Sequence, residues 1–250
     1  VSWMQVYTDI GYNQDHAAAF IPYAIRNQRI GRVTHEVNVP LGYWRSVEHS
    51  YQGFFIESFV DELARQARVD PLEFRLRMLR AAPRFQRVLQ RAAELIGWGD
   101  AARAGTGKGL AVKESFGSIV AEAAEVDVSA TGDLRVLRIC AAVDAGEIVH
   151  PDNARAQIEG GILFGLGAAM KGRITLKNGR VEQGNFNDYP VLTMAETPAI
   201  DVALLDSDAP MGGLGEVGVP PCAPAVCNAI FAATGVRLRR LPIIGQALGS

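Results

Sequence analysis

Between residues 50 and 97 the apolar side chains follow a helical period, and between residues 108 and 144 they follow the pattern of strands. Phe54, Phe55, Phe59, Leu63 and Ala67 recur at helical spacing, with Glu57, Asp61, Glu62 and Arg65 on much of the other face. Asp70 then reads as an N-cap with Pro71 in the first turn of a short helix carrying Leu72, Leu76 and Leu79. A third helix is predicted from Phe85 to Ile96, ended by Gly97. Gly109 to Val112, Ile119 to Val128 and Leu134 to Val143 read as strands, the last two joined by the turn Ala130-Thr131-Gly132-Asp133. Helices and strands are segregated rather than strictly alternating. That arrangement points to an α+β fold in which an antiparallel meander packs with helices.

The rest of the chain adds elements of both kinds. Pro151-Asp152-Asn153 starts a helix through Met170 that holds Gly160, Gly161, Gly165 and Gly167. Glycine costs a helix roughly 0.8–1 kcal/mol against alanine, so four of them require close packing against a backbone or a ligand. Lys177-Asn178-Gly179-Arg180 is a hairpin turn, Ala199 to Leu205 a strand, and Ala223 to Thr234 a final helix stopped by Gly235. Residues 1–45 are mixed, with a β-like run from Gly31 to Val39 ended by Pro40. At 250 residues the chain suits one large domain or two smaller ones, divided into 1–97 and 98–250. No internal repeat or low-complexity linker interrupts it.

Composition excludes several classes. With 48% hydrophobic residues, 21% charged residues and a net charge of -2, the chain is an ordinary globular sequence and not a nucleic-acid binder. Arg237, Arg239 and Arg240 follow the last acidic residue, Glu216, and read first as a solvated surface, second as a dock for an acidic partner chain. Cys140, Cys222 and Cys227 are too few and too isolated for a disulfide framework or an iron–sulfur or zinc site, and read as small buried thiols. Apolar runs fall well short of the roughly 20 residues of a membrane span. The chain begins at Val1 rather than methionine, which leaves room for an upstream segment with its targeting signals.

Two glycine motifs invite a nucleotide reading, and neither sustains it. MGGLGEVGVPP holds G-x-G-x-x-G at Gly213, Gly215 and Gly218. A dinucleotide fingerprint follows a strand directly, opens a helix and meets an acidic residue about 20 positions later. Here Asp206 to Pro210 interrupts after the strand, Pro220-Pro221 forces extended geometry on what precedes it, and no acidic residue follows. Gly105-Thr106-Gly107-Lys108 resembles part of a phosphate loop, but Ala102 and Gly109 occupy the positions that need glycine and a hydroxyl residue, so it reads as a turn.

The glycines around Glu216 then allow two readings: a tight turn with a solvated glutamate, or a carboxylate held in a crowded pocket for proton abstraction. Three other segments are equally rich in small residues and backbone donors: Gly42-Tyr43-Trp44-Arg45-Ser46-Val47, Glu114-Ser115-Phe116-Gly117-Ser118 and Gln157-Ile158-Glu159-Gly160-Gly161. Together they offer amide donors, one arginine and one glutamine, an inventory suited to a large anionic cofactor.

In order, WRSV, the FFIESFVDELA run, DPLEFRLRML, KGLAVKESFGS, VDAGEIVHPDNARAQIEGGILFGLGAAM, NFNDYPVL, GGLGEVGVPPCAPAVCNAIFAATG and RRLP resemble the molybdenum-binding large subunit of the xanthine dehydrogenase and aldehyde oxidase superfamily. The nearest resemblance is to the isoquinoline oxidoreductase beta subunit and related bacterial aldehyde dehydrogenases. It covers nearly the whole chain and matches roughly the C-terminal third of such a subunit. The resemblance implies a molybdenum-molybdopterin cofactor, often the cytosine dinucleotide form, and oxidation of an N-heterocycle or aldehyde with water-derived oxygen. It implies Glu216 as general base on the molybdenum-bound hydroxyl and Arg45 as an arginine near the metal that orients substrate or stabilises negative charge. Trp44, Ser46, Val47, Gly117, Ser118, Gln157, Gly213 and Gly215 are implied to border the cofactor, with no protein side chain as metal ligand. Partners implied are the N-terminal portion of the large subunit, a small iron–sulfur subunit and a small-molecule substrate.

Plainer readings stand beside these. Arg45 could pair with Glu57, and Trp44 and Phe116 read as core packing rather than substrate stacking. The chain alone could be a non-catalytic α+β module that binds cofactor only with a partner chain. It also departs from the family pattern: Glu48 stands in place of glycine after WRSV, His150 of asparagine before Pro151, Ala145 of a common cysteine and Arg26 of proline.

Overall fold

The computed structural model describes residues 2–9, 20–35, 39–40, 42–101 and 103–249. In chain order the elements begin with strands β1 (Ser2–Asp9) and β2 (Asn27–Thr34), helices α1 (Val47–Gln66), α2 (Pro71–Met78) and α3 (Pro83–Ile96), and strands β3 (Thr106–Ser115), β4 (Ser118–Val128) and β5 (Leu134–Asp144). Helix α4 (Pro151–Met170), the hairpin strands β6 (Leu176–Lys177) and β7 (Arg180–Val181), strand β8 (Ala199–Leu204) and helix α5 (Cys222–Thr234) follow.

A four-stranded sheet of order β3-β4-β5-β8 organises the molecule. Its first three strands form the expected antiparallel meander, with Ala111 opposite Glu122 and Glu122 opposite Ala141. Strand β8 joins β5 in parallel, a pairing that a meander does not anticipate. Alternation along the strands feeds two cores. Leu110, Val112, Ile119, Ala121, Ala123, Cys140 and Ala142 pack with Val88, Leu89, Ala92 and Ile96 of α3. Ala111, Val120, Ala124, Ile139, Ala141 and Val143 pack with Ile158, Ile162 and Leu166 of α4 and Val226 and Ile230 of α5. Because both faces are covered, the strands read as nearly continuous apolar runs. Gly107 and Gly109 let α5 approach β3 closely, since a side chain at either would collide with its backbone at Ala229. Thr106, Gly107 and Lys108 thus open β3, and of the residues read as a turn only Gly105 lies in one; Ala102 lies outside the described residues.

The helices start and stop for local reasons. Asp70 caps α2 by accepting from Leu72 N–H at 2.9 Å and Glu73 N–H at 3.0 Å. Gly97 ends α3 at φ 64° and Gly235 ends α5 at φ 75°. Helix α1 differs from its expected orientation. Its acids Glu57 and Asp61 are buried, while Phe55 and Phe59 remain 44% and 46% exposed. The cause is a buried ionic network. Arg75 of α2, fully buried, donates through Nε to Glu57 Oε2 at 3.0 Å, and Tyr23 Oη–H donates to Glu57 Oε1 at 2.7 Å. Arg237 donates to Asp61 Oδ2 at 2.6 Å and to Asn228 Oδ1 at 2.8 Å, with its guanidinium 3.9 Å from the Phe231 ring centroid. Arg239 pairs with Glu62 at 2.7 Å. Arg237 is thus a buried clamp between α5 and α1, not part of a solvated surface.

Strands β1 and β2 form a separate parallel ribbon. Residues 31–34 of the β-like run belong to β2, and residues 36–38 lie outside the described residues. All three cysteines are free and buried. Burial pushes the Cys140 thiol to about 11 and the Cys227 thiol to about 12, which keeps both protonated at neutral pH. Among the described residues no helix is long and apolar enough to cross a membrane.

Candidate functional site

The β3–β4 hairpin turns through Phe116 at φ 52° and Gly117 at φ 80°. Two positive φ values in succession are the signature of a tight hairpin turn whose twist matches its strands. Glycine adopts that conformation freely, whereas Phe116 strains by about 1–2 kcal/mol. The tip is tied to the segment before α5. Gly213 N–H donates to Phe116 O at 2.8 Å, and Ser118 Oγ–H donates to Gly213 O at 2.6 Å.

That segment, residues 211–221, runs between the hairpin tip, α4 and α1. A Cβ on Gly161 would stand 3.2 Å from the Cα of Gly218, and one on Gly165 would stand 3.0 Å from Val219 O. A Cβ on Gly53 of α1 would stand 2.8 Å from Pro220 O. Two of the α4 glycines are therefore explained by backbone packing. Gly160 and Gly215 differ, since a Cβ on either meets nothing within 4 Å.

Across this seat the segment 44–47 meets the glycine loop. Ser46 N–H donates to Glu216 Oε1 at 2.9 Å, and Ser46 Oγ–H donates to the Glu216 carbonyl oxygen at 2.5 Å. Arg45 Nε–H donates to Gly215 O at 2.9 Å, and Nη2 donates to the same carbonyl. Nη2 also reaches Gln157 O and Oε1, each at 3.4 Å. Four residues expected at the site are thus brought together as two hydrogen-bonded pairs, Arg45 with Gln157 across 112 positions and Ser46 with Glu216 across 170. Arg45 does not pair with Glu57, whose carboxylate is taken by Arg75. Its guanidinium fixes the loop carbonyl instead.

Gly117, Gln157, Gly213 and Gly215 lie exposed around Glu216, while Ser46 and Ser118 are buried beneath them. Trp44 and Phe116 are each 41% exposed, so neither is a core residue. Trp44 stacks at 4.8 Å on Phe164, and Phe116 lies 5.0 Å from His49. Trp44, Arg45, Gly160, Phe164 and the 189–192 segment border a cavity of about 460 Å³ beside the Glu216 loop. Val47, at φ 40°, starts α1 in a conformation that a β-branched residue rarely takes. The Ser46–Glu216 clamp has no local sequence signal, because its partners are distant in the chain.

Two of the four departures from the family pattern have a local structural explanation. His150 Nδ1 accepts from Asn153 N–H at 3.2 Å and so caps α4 as an asparagine would. Ala145 is buried and its carbonyl accepts from Gly212 N–H at 2.9 Å. Glu48 is buried in the first turn of α1, and Arg26 is exposed.

The exposed donor set suits a large anionic group: a glutamine amide, backbone amides of two glycine loops and open space over Gly160 and Gly215. Among the described residues no three His, Cys, Asp or Glu side chains converge to hold a metal ion.

Comparison with known proteins agrees with this chemistry. Residues 58–198 match a family model described as a molybdopterin cofactor-binding domain. Gly117, Ser118 and Gln157 lie inside the matched stretch; Arg45 and Glu216 lie outside it. The chain is 37% identical over 227 residues to the beta subunit of isoquinoline 1-oxidoreductase from Brevundimonas diminuta, covering 89% of this chain and 29% of that protein. It is 34% identical over 248 residues to a nicotinate dehydrogenase subunit from Pseudomonas putida, covering 90% of this chain and 20% of that one. The chain thus spans less than a third of these relatives. The solved quinoline 2-oxidoreductase from Pseudomonas putida 86 shares the fold, with a TM-score of 0.79 at 13% identity over 91% of this chain and 55% of that one.

Proposed function

The chain belongs to the molybdopterin cofactor-binding domain family, a part of the xanthine dehydrogenase superfamily, and from that premise we propose that it forms the C-terminal part of a molybdenum hydroxylase large subunit. Its relatives are molybdenum oxidoreductases. The observation that carries the reading is the Glu216 carboxylate, presented on a glycine loop and gripped by Ser46 at 2.9 Å, in the middle of exposed backbone donors.

In this reading Glu216 is the general base of the hydroxylation, accepting a proton from the attacking oxygen. One carboxylate oxygen, Oε1, is held by Ser46 N–H, and none of the described residues hydrogen-bonds Oε2. Gln157, Gly117 and Gly215 line the cofactor as exposed donors, with Gly213 exposed beside them and Trp44 on the other side, while the buried Ser46 and Ser118 brace this lining from beneath and Val47 starts the helix behind it. Arg45 holds the carbonyl of Gly215 and so keeps the base-bearing loop in register with α4. The molybdenum cofactor, in the molybdopterin cytosine dinucleotide form, supplies two-electron redox chemistry and the water-derived oxygen when bound. The substrate is a small N-heterocycle or an aldehyde. The names of the isoquinoline and nicotinate relatives support the heterocycle. The N-terminal portion of the large subunit completes the pocket, and a separate small subunit with iron–sulfur clusters takes the electrons.

Quantifying molybdenum and pterin in the enzyme assembled with these partners tests the reading. The expected result is close to one of each per copy of this chain. A cofactor-free assembly would instead establish a non-catalytic module.

A further inference from the structure

Ser46 stands at the N-cap of α1, where a serine hydroxyl ordinarily accepts a bond from the helix's own first N–H groups. It makes no such bond. Its hydroxyl instead donates to the backbone carbonyl of Glu216, and its N–H donates to Oε1 of the same residue. Ser46 is fully buried and sits at φ 73° and ψ 2°, a left-handed conformation that aims both donors away from the helix and at the loop. Glycine adopts that conformation without strain. The backbone geometry alone therefore favours glycine here, and what serine adds is the second hydrogen bond. Glu216 O also accepts from Val219 N–H at 3.0 Å, so the hydroxyl fastens the loop at its own internal turn.

We infer that Ser46 is a positioning residue for Glu216. Its two hydrogen bonds fix the backbone and one carboxylate oxygen of the base, and they leave Oε2 as the oxygen that takes the proton. This inference rests on Glu216 being the general base. When the proton arrives, Oε2 becomes the hydroxyl of a neutral carboxylic acid and Oε1 keeps its bond from Ser46 N–H. The base can thus be neutralised without losing its anchor. A carboxylate held at one oxygen and the backbone keeps a single orientation. Misplacement of about 1 Å at a reacting group can cost on the order of a hundredfold in rate.

Ser46→Gly isolates the hydroxyl, because glycine keeps the N–H and tolerates φ 73°. In the assembled enzyme, kcat is expected to fall about tenfold, with KM and molybdenum content held near wild type. A crystal structure of the same variant should show the Glu216 carboxylate in more than one orientation. Unchanged kcat together with a single, wild-type Glu216 orientation would overturn the inference, as would a fall in molybdenum content that accounts for all the lost activity. Glu216→Gln, measured beside it, separates the two claims. Near-normal turnover in Glu216→Gln removes the base itself, whereas a crippled Glu216→Gln with a normal Ser46→Gly removes only the positioning role.

Discussion

Glu122 lies on β4 with both carboxylate oxygens buried and neither of them hydrogen-bonded among the described residues. Burial pushes its carboxyl well above the usual carboxylate range. The unfolded chain releases this proton above about pH 4.3, while the folded chain keeps it. Stability from this group is therefore present at low pH and lost as pH rises from the unfolded value towards the folded one. Glu122→Gln should match wild type in urea unfolding near about pH 4 and exceed it near about pH 8. A constant difference across that range would contradict a buried neutral acid. The Glu57–Arg75 pair presents the opposite case, since each charge is compensated at 3.0 Å. Arg75→Met strands a buried carboxylate and should cost about 3–5 kcal/mol in chemical denaturation. A loss below about 1 kcal/mol would show the pair to be effectively solvated. Neither environment is legible in the sequence. Glu57 and Asp61 look like the polar face of α1 until Arg75 and Arg237 are brought to them from other elements. Glu216, by contrast, stands out through its glycines, whereas the Ser46 bonds to it depend on folding.

Helix α4 separates two uses of glycine that the sequence cannot distinguish. Gly160→Ala fills open space and should stabilise the chain by about 0.5–1 kcal/mol. Gly165→Ala places a Cβ 3.0 Å from Val219 O and 3.2 Å from the Cβ of Cys222, so overpacking of about 1–3 kcal/mol should cancel that gain and displace the Glu216 loop. Thermal denaturation of the two variants checks the contrast, and equal effects would contradict the seat assigned to Gly165. The ends of α4 match the sequence expectation because Pro151 opens it, and the antiparallel strands were legible because short turns join them. The parallel partner β8 was not, because more than 50 residues separate it from β5. Strand β1 is not legible in the sequence for another reason. Trp3 and Tyr7 are buried while Met4 and Val6 are exposed, so apolar residues occupy both faces and the period-two signal disappears.

On the scale of the whole molecule, the site is a product of packing. It gathers residues 44–47, 116–118, 157 and 213–216, which meet only once the sheet carries its helices on both faces. The proposed division into 1–97 and 98–250 runs beside a shared core, in which α3 packs on β4 and β5. We therefore expect the two parts to unfold together. Two of the three tryptophans, Trp3 and Trp44, lie in the first part and Trp98 is the first residue of the second, so fluorescence is weighted towards the first. Their fluorescence should accordingly follow the same denaturation curve as circular dichroism of the whole chain, whereas two separated curves would mark independent subdomains. The central claim is that this packed assembly presents Glu216 as the base of a molybdenum hydroxylase. The most direct measurement is the turnover of Glu216→Gln in the assembled enzyme at matched molybdenum content. The account predicts full cofactor loading with turnover lowered by at least about a hundredfold; loading and turnover both near wild type would contradict it.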